Sequence, residues 1–360
     1  MLALLPWLPL ESEISVNGVS IRPLFPEGKC HPLLTPIESR LKDLMKFFPT
    51  RDRRGAFATT SENWVVQESD FDRIGPTVRS LYLACFAGQV YYSAEKHYVN
   101  SAAFDLYRTF PTDVISYQLR SRLGVHQHLG ERSTLTTFAP PLQSYLCTSL
   151  NIDRPFFDAL CSDLNPDWLQ EALDFYLLAT RDEQFLNESY ELILMASAYE
   201  RLLGASDSTG MQEHIRNLLA PYRSEETVAS LRSSGKSVSS KSRDREVELA
   251  FANAPPHEGW AVDFYNARNR VVHRRKLKEA AGWTSWEHLL MAGHLFPLLV
   301  KLKLMALGHY ALTSSDEERL HAIDPLLAAP SWEKDTDSSP WFDIHRTVVL
   351  RQSILSKIEC

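Results

Sequence analysis

The chain predicts a mainly α fold in which a smaller α+β module precedes a C-terminal helical bundle. Three observations lead there. Beyond about residue 165, apolar residues recur at alternating threes and fours, the period of a helix with one buried face. Before about residue 155, short strand-like and helix-like pieces alternate, punctuated by Pro111, Pro140 and Pro141. The 360 residues are 44% hydrophobic and 11% aromatic, enough for two cores. The expected organisation is an α+β module over 1–155, a bundle over 156–320 and a helical extension over 321–360.

Within the first module, Glu13 to Leu24 alternates apolar and polar residues around Asn17-Gly18, a hairpin signal. Leu41 to Phe48 has helical spacing, and Trp64-Val65-Val66 inside Glu62 to Gln67 reads as a strand. Thr77 to Tyr92 is rich in large apolar residues and fits either a buried helix or two strands.

In the bundle, Asn165-Pro166-Asp167 opens a helix, with Asn165 as its cap or Asp167 just inside it. Phe185, Ser189, Leu192, Ala196, Tyr199 and Leu203 then form a seam that Gly204 ends. A third helix begins near Met211 and fades by Leu231. Residues 224–245, with eight serines and alternating charges, read as a loop or partly disordered insertion. Helical pattern resumes near Glu246, breaks at Pro255-Pro256 and restarts near Glu258. A strongly apolar helix from Trp286 to about Tyr310 follows, with Pro297 as a kink point. Thr313 to Glu318 reads as a capped helix start, and Trp341 to Ile358 as a further amphipathic helix.

A net charge of −7 argues against coating nucleic acid along the whole surface, but leaves room for a local basic site. The five cysteines (30, 85, 147, 161, 360) form no CxxC pair and read as reduced thiols. The apolar opening, Met1 to Leu10, lacks a basic flank and is cut by two prolines, so it is not read as a signal sequence. The expectation is a cytoplasmic protein without membrane contact.

The segment Tyr265-Asn266-Ala267-Arg268-Asn269-Arg270-Val271-Val272-His273 carries the functional signal, and Arg274, Arg275 and Lys276 extend it. Asn269 and His273 are four apart and share a helix face, with Arg268 beside them. Metal-free RNA cleavage needs a base for the 2′-hydroxyl, an acid for the 5′-oxygen and cations for the charge that develops on phosphorus. Imidazole has an unperturbed pKa near neutrality, roughly 6.5, so His273 suits either proton role. Arg268 suits a phosphate clamp through its planar fork. Asn269 could orient the imidazole or donate to phosphate, while Arg270, Arg274 and Arg275 would hold flanking phosphates. Glu200 and Tyr265 are candidate supporting residues. The bland readings make Glu200 a surface acid and the trio a solvated helix face.

Arg268-Asn269-x-x-x-His273, preceded by Tyr265 on an amphipathic helix, resembles the motif helix of the HEPN domain superfamily. Ala198-Tyr199-Glu200-Arg201-Leu202-Leu203 is similar to the helix that precedes it there. The resemblance covers about residues 165–315. It implies an HEPN-like bundle of four to five helices and a homodimer whose two motifs face one cleft. For many members it also implies metal-independent endoribonuclease activity in toxin or antiphage systems, with an antitoxin or trigger protein as partner. Arg274 stands where the family commonly has a small residue. Arg275 stands where the branch silenced by nucleotide transfer has tyrosine, so that control is not expected. The alternative is a non-catalytic module of the same fold that binds RNA, nucleotide or protein.

No glycine-rich phosphate loop, HExxH or supported Ser-His-Asp arrangement is present, and no cofactor or metal is expected. His126 and His128 read as a polar loop rather than ligands. His288, His294 and His309 read as core or interface histidines, and Trp283 and Trp286 as packing at the turn between helices.

Overall fold

The structure is a computed structural model that describes residues 1–48, 55–88, 101–111, 115–117, 127–129, 150–162, 166–181, 186–236, 238–240, 244–273 and 282–329. The chain divides into two compact units, Met1–Asn165 with Arg181–Glu183, and Pro166–Thr180 with Gln184–Cys360. It is mainly helical, and among the described residues the antiparallel sheet lies in the first unit.

The sheet holds β1 (Leu2–Leu5), β2 (Ile14–Val16), β3 (Val19–Pro23), β4 (Ala56–Thr59), β5 (Tyr107–Pro111), β6 (Ile115–Tyr117) and β7 (Gln127–Leu129), in the order β2-β3-β4-β1-β5-β6-β7. The apolar opening is therefore a central strand. Ala3 pairs with Ala58 and Arg108, and Leu2 to Leu5 are all fully buried, as an unbroken apolar run requires. β2 and β3 form the expected hairpin, with Asn17 and Gly18 at φ 47° and 69°, the doubly left-handed turn that matches strand twist. The expected strand over 62–67 is instead a series of bends. There Asn63 Oδ1 accepts from the Val65 N–H and the Val66 N–H donates to the Met1 carbonyl, while the strand lies earlier, at β4. Among the described residues this unit also holds the α-helices α1 (Glu38–Met45), α2 (Phe71–Ala87) and α3 (Arg154–Leu160). The ambiguous 77–92 segment thus begins as helix, with Leu81 to Cys85 wholly buried. Asp153 caps α3, whose Phe156 and Phe157 are buried, so this helix belongs to the first unit.

The second unit contains α4 (Asp167–Ala179), α5 (Glu188–Leu203), α6 (Ser208–Leu219), α7 (Val228–Ser233), α8 (Arg245–Ala252), α9 (Pro256–Val272), α10 (Ser285–Ala306), α11 (Ser314–His321) and α12 (Ile323–Ala328). α4 packs along α5, and α9 lies against α5, α6 and α12. The seam residues Leu192, Ala196, Tyr199 and Leu203 are buried, and Gly204 closes α5 at φ 70°. Asp167 is in the first turn of α4, and Thr313 caps α11 through a reciprocal bond with Asp316. α10 is long and apolar enough to cross a membrane, but 72% of its apolar window is buried inside the protein, as befits a core helix. Tyr176 stacks on Phe296 at 4.2 Å, and Tyr199 meets Phe264 and Phe296 edge-on.

The serine-rich segment expected as a loop at 224–245 contains one short helix, α7, and is otherwise irregular among the described residues up to the start of α8. Thr227 caps α7, and Val238, 2% exposed, packs beside Gly259 and Gly282, where a Cβ would lie 3.5 and 3.4 Å from its methyls. Arg232 ties the strap down by donating to the Val238 carbonyl and pairing with Glu248. Residues 330–360, and with them the helix expected at 341–358, lie outside the described residues.

Candidate functional site

α9 starts with Pro256 at its first position, where the missing N–H costs no helical hydrogen bond. The buried His257 anchors this end to α12, its backbone N–H and Nδ1 meeting Asp324 Oδ1 at 2.9 and 2.8 Å. Trp260, Phe264 and Ala267 face the core, with Trp260 stacked on Phe264 at 5.0 Å. This apolar face fixes the helix's rotation, and hence the direction in which its polar residues project.

Arg268 emerges beside that face, its side chain about a quarter exposed. Its Nη1 donates to Asn269 Oδ1 at 3.0 Å, Nη2 lies 3.6 Å from Glu200 Oε1, and the guanidinium sits 5.6 Å from the Tyr265 ring centre. Tyr265 is held in turn by its hydroxyl, which donates to the Ser206 carbonyl at 2.8 Å. Burial, followed by the Glu200 carboxylate, raises the Tyr265 phenol above its ordinary pKa. Glu200 and Tyr265 therefore surround Arg268 from α5 and from the preceding turn. The Arg268 Nε–H is buried and has no acceptor among the described residues.

His273 caps the C-terminus of α9. It is exposed, and its backbone N–H donates to the Asn269 carbonyl at 3.1 Å. Among the described residues no side chain bonds its imidazole, and the Asn269 amide oxygen is turned to Arg268. Five positions separate Arg268 from His273, about 140° round the axis and roughly 7.5 Å along it. The structure thus groups Arg268, Asn269, Glu200 and Tyr265, and leaves His273 at the rim. Arg274 and Arg275 lie outside the described residues, as does His126; His128 is in β7, opposite Ser116.

Arg270 belongs to a second polar group that the sequence reading missed. Its Nη2 is 3.6 Å from Asp263 Oδ1, while Asp263 Oδ2 meets His288 Nε2 at 3.2 Å and the Trp283 N–H at 3.4 Å. Burial alone would raise the Asp263 pKa. The His288 hydrogen bond, the adjacent positive charge and the Trp283 N–H outweigh it and hold the carboxyl below its usual range. The available signal was the seven-residue spacing of Asp263 and Arg270, two turns apart on one helix face. His288 is a buried, bonded core histidine, and Trp283 is fully buried with its indole N–H on the Leu327 carbonyl.

Chemically, α9 carries two partly exposed guanidinium groups, each backed by a carboxylate and each with buried N–H that has no acceptor among the described residues, and it ends at an exposed imidazole. The exposed edge of such a guanidinium suits an oxyanion. Among the described residues no group of three or more His, Cys, Asp or Glu is placed to hold a metal ion. No family model matches the chain, and neither the curated proteins nor the solved structures yield a match.

Proposed function

We propose that this protein is a metal-independent endoribonuclease of HEPN type, acting in the cytoplasm in antiphage defence or a toxin-like system. The observation that supports the reading is the pair of carboxylate-backed, partly exposed arginines on α9, the helix that ends at the exposed His273. Arg268 binds the scissile phosphate and stabilises the charge that develops on its non-bridging oxygens. Asn269 orients the Arg268 fork through its amide oxygen. Arg270, with Arg274 and Arg275, holds flanking phosphates. His273 takes the 2′-hydroxyl proton as the O2′–P bond forms, and an imidazolium protonates the 5′-oxygen as the P–O5′ bond breaks. The products are a 2′,3′-cyclic phosphate and a 5′-hydroxyl. One imidazole serves one proton role at a time, so the reaction is assigned to a homodimer in which each copy contributes a His273. The N-terminal unit is assigned the sensing or specificity role, and an antitoxin or trigger protein would engage it.

A second reading is favoured by the imidazole itself. A catalytic histidine is ordinarily oriented by a partner on its other ring nitrogen, and none is present among the described residues. On this reading the bundle is a non-catalytic module that binds RNA, nucleotide or protein through Arg268. The test is cleavage of a mixed cellular RNA pool by purified protein in EDTA, beside Arg268→Ala and His273→Ala. Cyclic-phosphate ends that appear with the parent protein and vanish with both variants support the nuclease. RNA affinity lost with Arg268→Ala but retained with His273→Ala, without cutting by any protein, supports the binding module.

A further inference from the structure

Arg270 is held in an unusual way for a buried cation. Its side chain is about a quarter exposed, yet Nε and Nη2 are shut off from solvent and have no hydrogen-bond acceptor among the described residues. The Asp263 carboxylate stands 3.6 Å from Nη2, near enough to fix the charge by attraction and too far to take up its protons. A guanidinium side chain on a helix leans towards the N-terminus, which is where Asp263 lies, two turns earlier.

Asp263 is itself fixed by groups that do not belong to α9. One oxygen accepts from the Trp283 backbone N–H and from His288 Nε2. A carboxylate accepts only, so the His288 proton must sit on Nε2. Its Nδ1 is buried and has no hydrogen-bond partner among the described residues. His288 is fully buried and ringed by Trp260, Phe264 and Trp283 at 5.7–6.3 Å between ring centres, so it cannot swing away. Gly282 closes the arrangement: a Cβ there would come within 2.6 Å of Asp263 Oδ2. The carboxylate is therefore clamped on one oxygen, and its other oxygen faces Arg270.

We propose that Asp263, clamped by His288 and Trp283, is a positioning residue that holds the buried Nη2 edge of Arg270 and so presents the partly exposed remainder of the guanidinium to a phosphodiester oxygen of the substrate. This rests on the reading of α9 as a phosphate-binding helix. A guanidinium already fixed in place meets an arriving oxyanion at its exposed edge without reorientation. Arg268 has its own carboxylate, Glu200, at the same 3.6 Å. The two arginines thus form two independently braced seats on one helix.

The experiment uses the full chain with ¹⁵N-labelled arginine and inorganic phosphate as the probe. The Arg270 Nε–H resonance is assigned by its loss in Arg270→Lys. In the parent protein it is resolved and moves on titration. In Asp263→Asn it collapses towards the position of a freely rotating arginine, and apparent phosphate affinity at that site falls by about tenfold. Asp263→Glu, which keeps the charge, recovers part of the response. A parent-like titration in Asp263→Asn overturns the proposal, as does an Arg270 signal that ignores phosphate in the parent. Because Asp263 is buried, folding of each variant is checked by the Arg216 Nε–H, whose side chain is paired with Glu258 and should not move. Cleavage assays on the same proteins separate the two ideas. RNA cutting by the parent with a silent Arg270 sinks the positioning role alone, and a responsive Arg270 without cutting sinks the nuclease and leaves the positioning role standing.

Discussion

Pro297 lies in the middle of α10 and has no N–H, so the Gly293 carbonyl four residues earlier lacks its helical donor. α10 is the core helix of the second unit, and water is not available to fill the gap. The Tyr176 hydroxyl fills it, donating to the Gly293 oxygen at 2.9 Å from α4. Tyr199 adds a second donor beside the gap, reaching the Ala292 oxygen at 2.8 Å from α5, and burial pushes its phenol well above the ordinary pKa. Tyr176→Phe keeps the ring that stacks on Phe296 and removes only the donor. The expected loss is that of a buried acceptor left unsatisfied, about 1–3 kcal/mol. For a unit of this size that is about 2–4 °C in midpoint per kcal/mol. Two units make a single global transition unsafe to assume, so the assay is native-state hydrogen exchange on peptides from α10. The decisive comparison is the same substitution in a Pro297→Ala background, where position 297 again supplies an N–H. There Tyr176→Phe should cost less than about half as much, the excess being the coupling energy. An equal loss in both backgrounds, or a loss below about 0.5 kcal/mol in the parent, refutes the substitution of tyrosine for proline's missing donor.

Three other outcomes follow from the buried polar groups. Lys301 and Asp316 are paired at 1% and 2% exposure, with Tyr310 and Thr313 also donating to Asp316; Lys301→Met should cost about 3–5 kcal/mol in chemical unfolding by stranding the carboxylate. The Asp263 and Asp316 carboxyls both sit below their ordinary 3.8, because hydrogen bonds to His288 and Lys301 outweigh the burial that would raise them. A depressed folded-state pKa gives stability that is present above 3.8 and lost as pH falls through the folded value, so acid titration of stability should decline below about 4, less steeply in Asp316→Asn. Gly282→Ala should lower the unfolding midpoint by an amount equivalent to about 1–3 kcal/mol, since its Cβ meets Asp263 Oδ2 at 2.6 Å; an unchanged midpoint would mean that the turn moves freely.

The residues that announced themselves in the sequence did so through chemistry confined to a few neighbours. Asn17-Gly18 demands a left-handed turn, Gly204 ends a helix, Thr313 caps one, and Pro255-Pro256 can only begin one. The α9 motif was visible for the same reason, since Arg268, Asn269 and His273 lie within two turns. What stayed hidden depends on partners far along the chain. Leu2 to Leu5 has no alternation to mark it as a strand, and its pairing residues lie more than fifty positions away at Ala56 and Tyr107. Trp64-Val65-Val66 has strand composition, yet its backbone is used by an Asx turn and by the chain's own first carbonyl.

The same distinction separates the two arginines of α9 and bears on what each can do. Arg268 takes its neighbours largely from its own helix, Asn269 and Tyr265, with Glu200 added from α5. Arg270 depends on Asp263, and Asp263 depends on Trp283 and His288 beyond the basic stretch that follows His273. A displacement of the start of α10 would therefore reach Arg270 through one carboxylate while leaving the Arg268 contacts in place. Lys236, buried over the Trp283 ring at 5.3 Å, brings the serine-rich strap to the same junction. Desolvation lowers its ammonium pKa against the pull of Glu287 and Asp263, so the strap adds a charge that the junction tolerates only while those carboxylates stay in place. The braced arginine, the turn and the strap consequently form one electrostatic unit at the end of the helix that carries the motif.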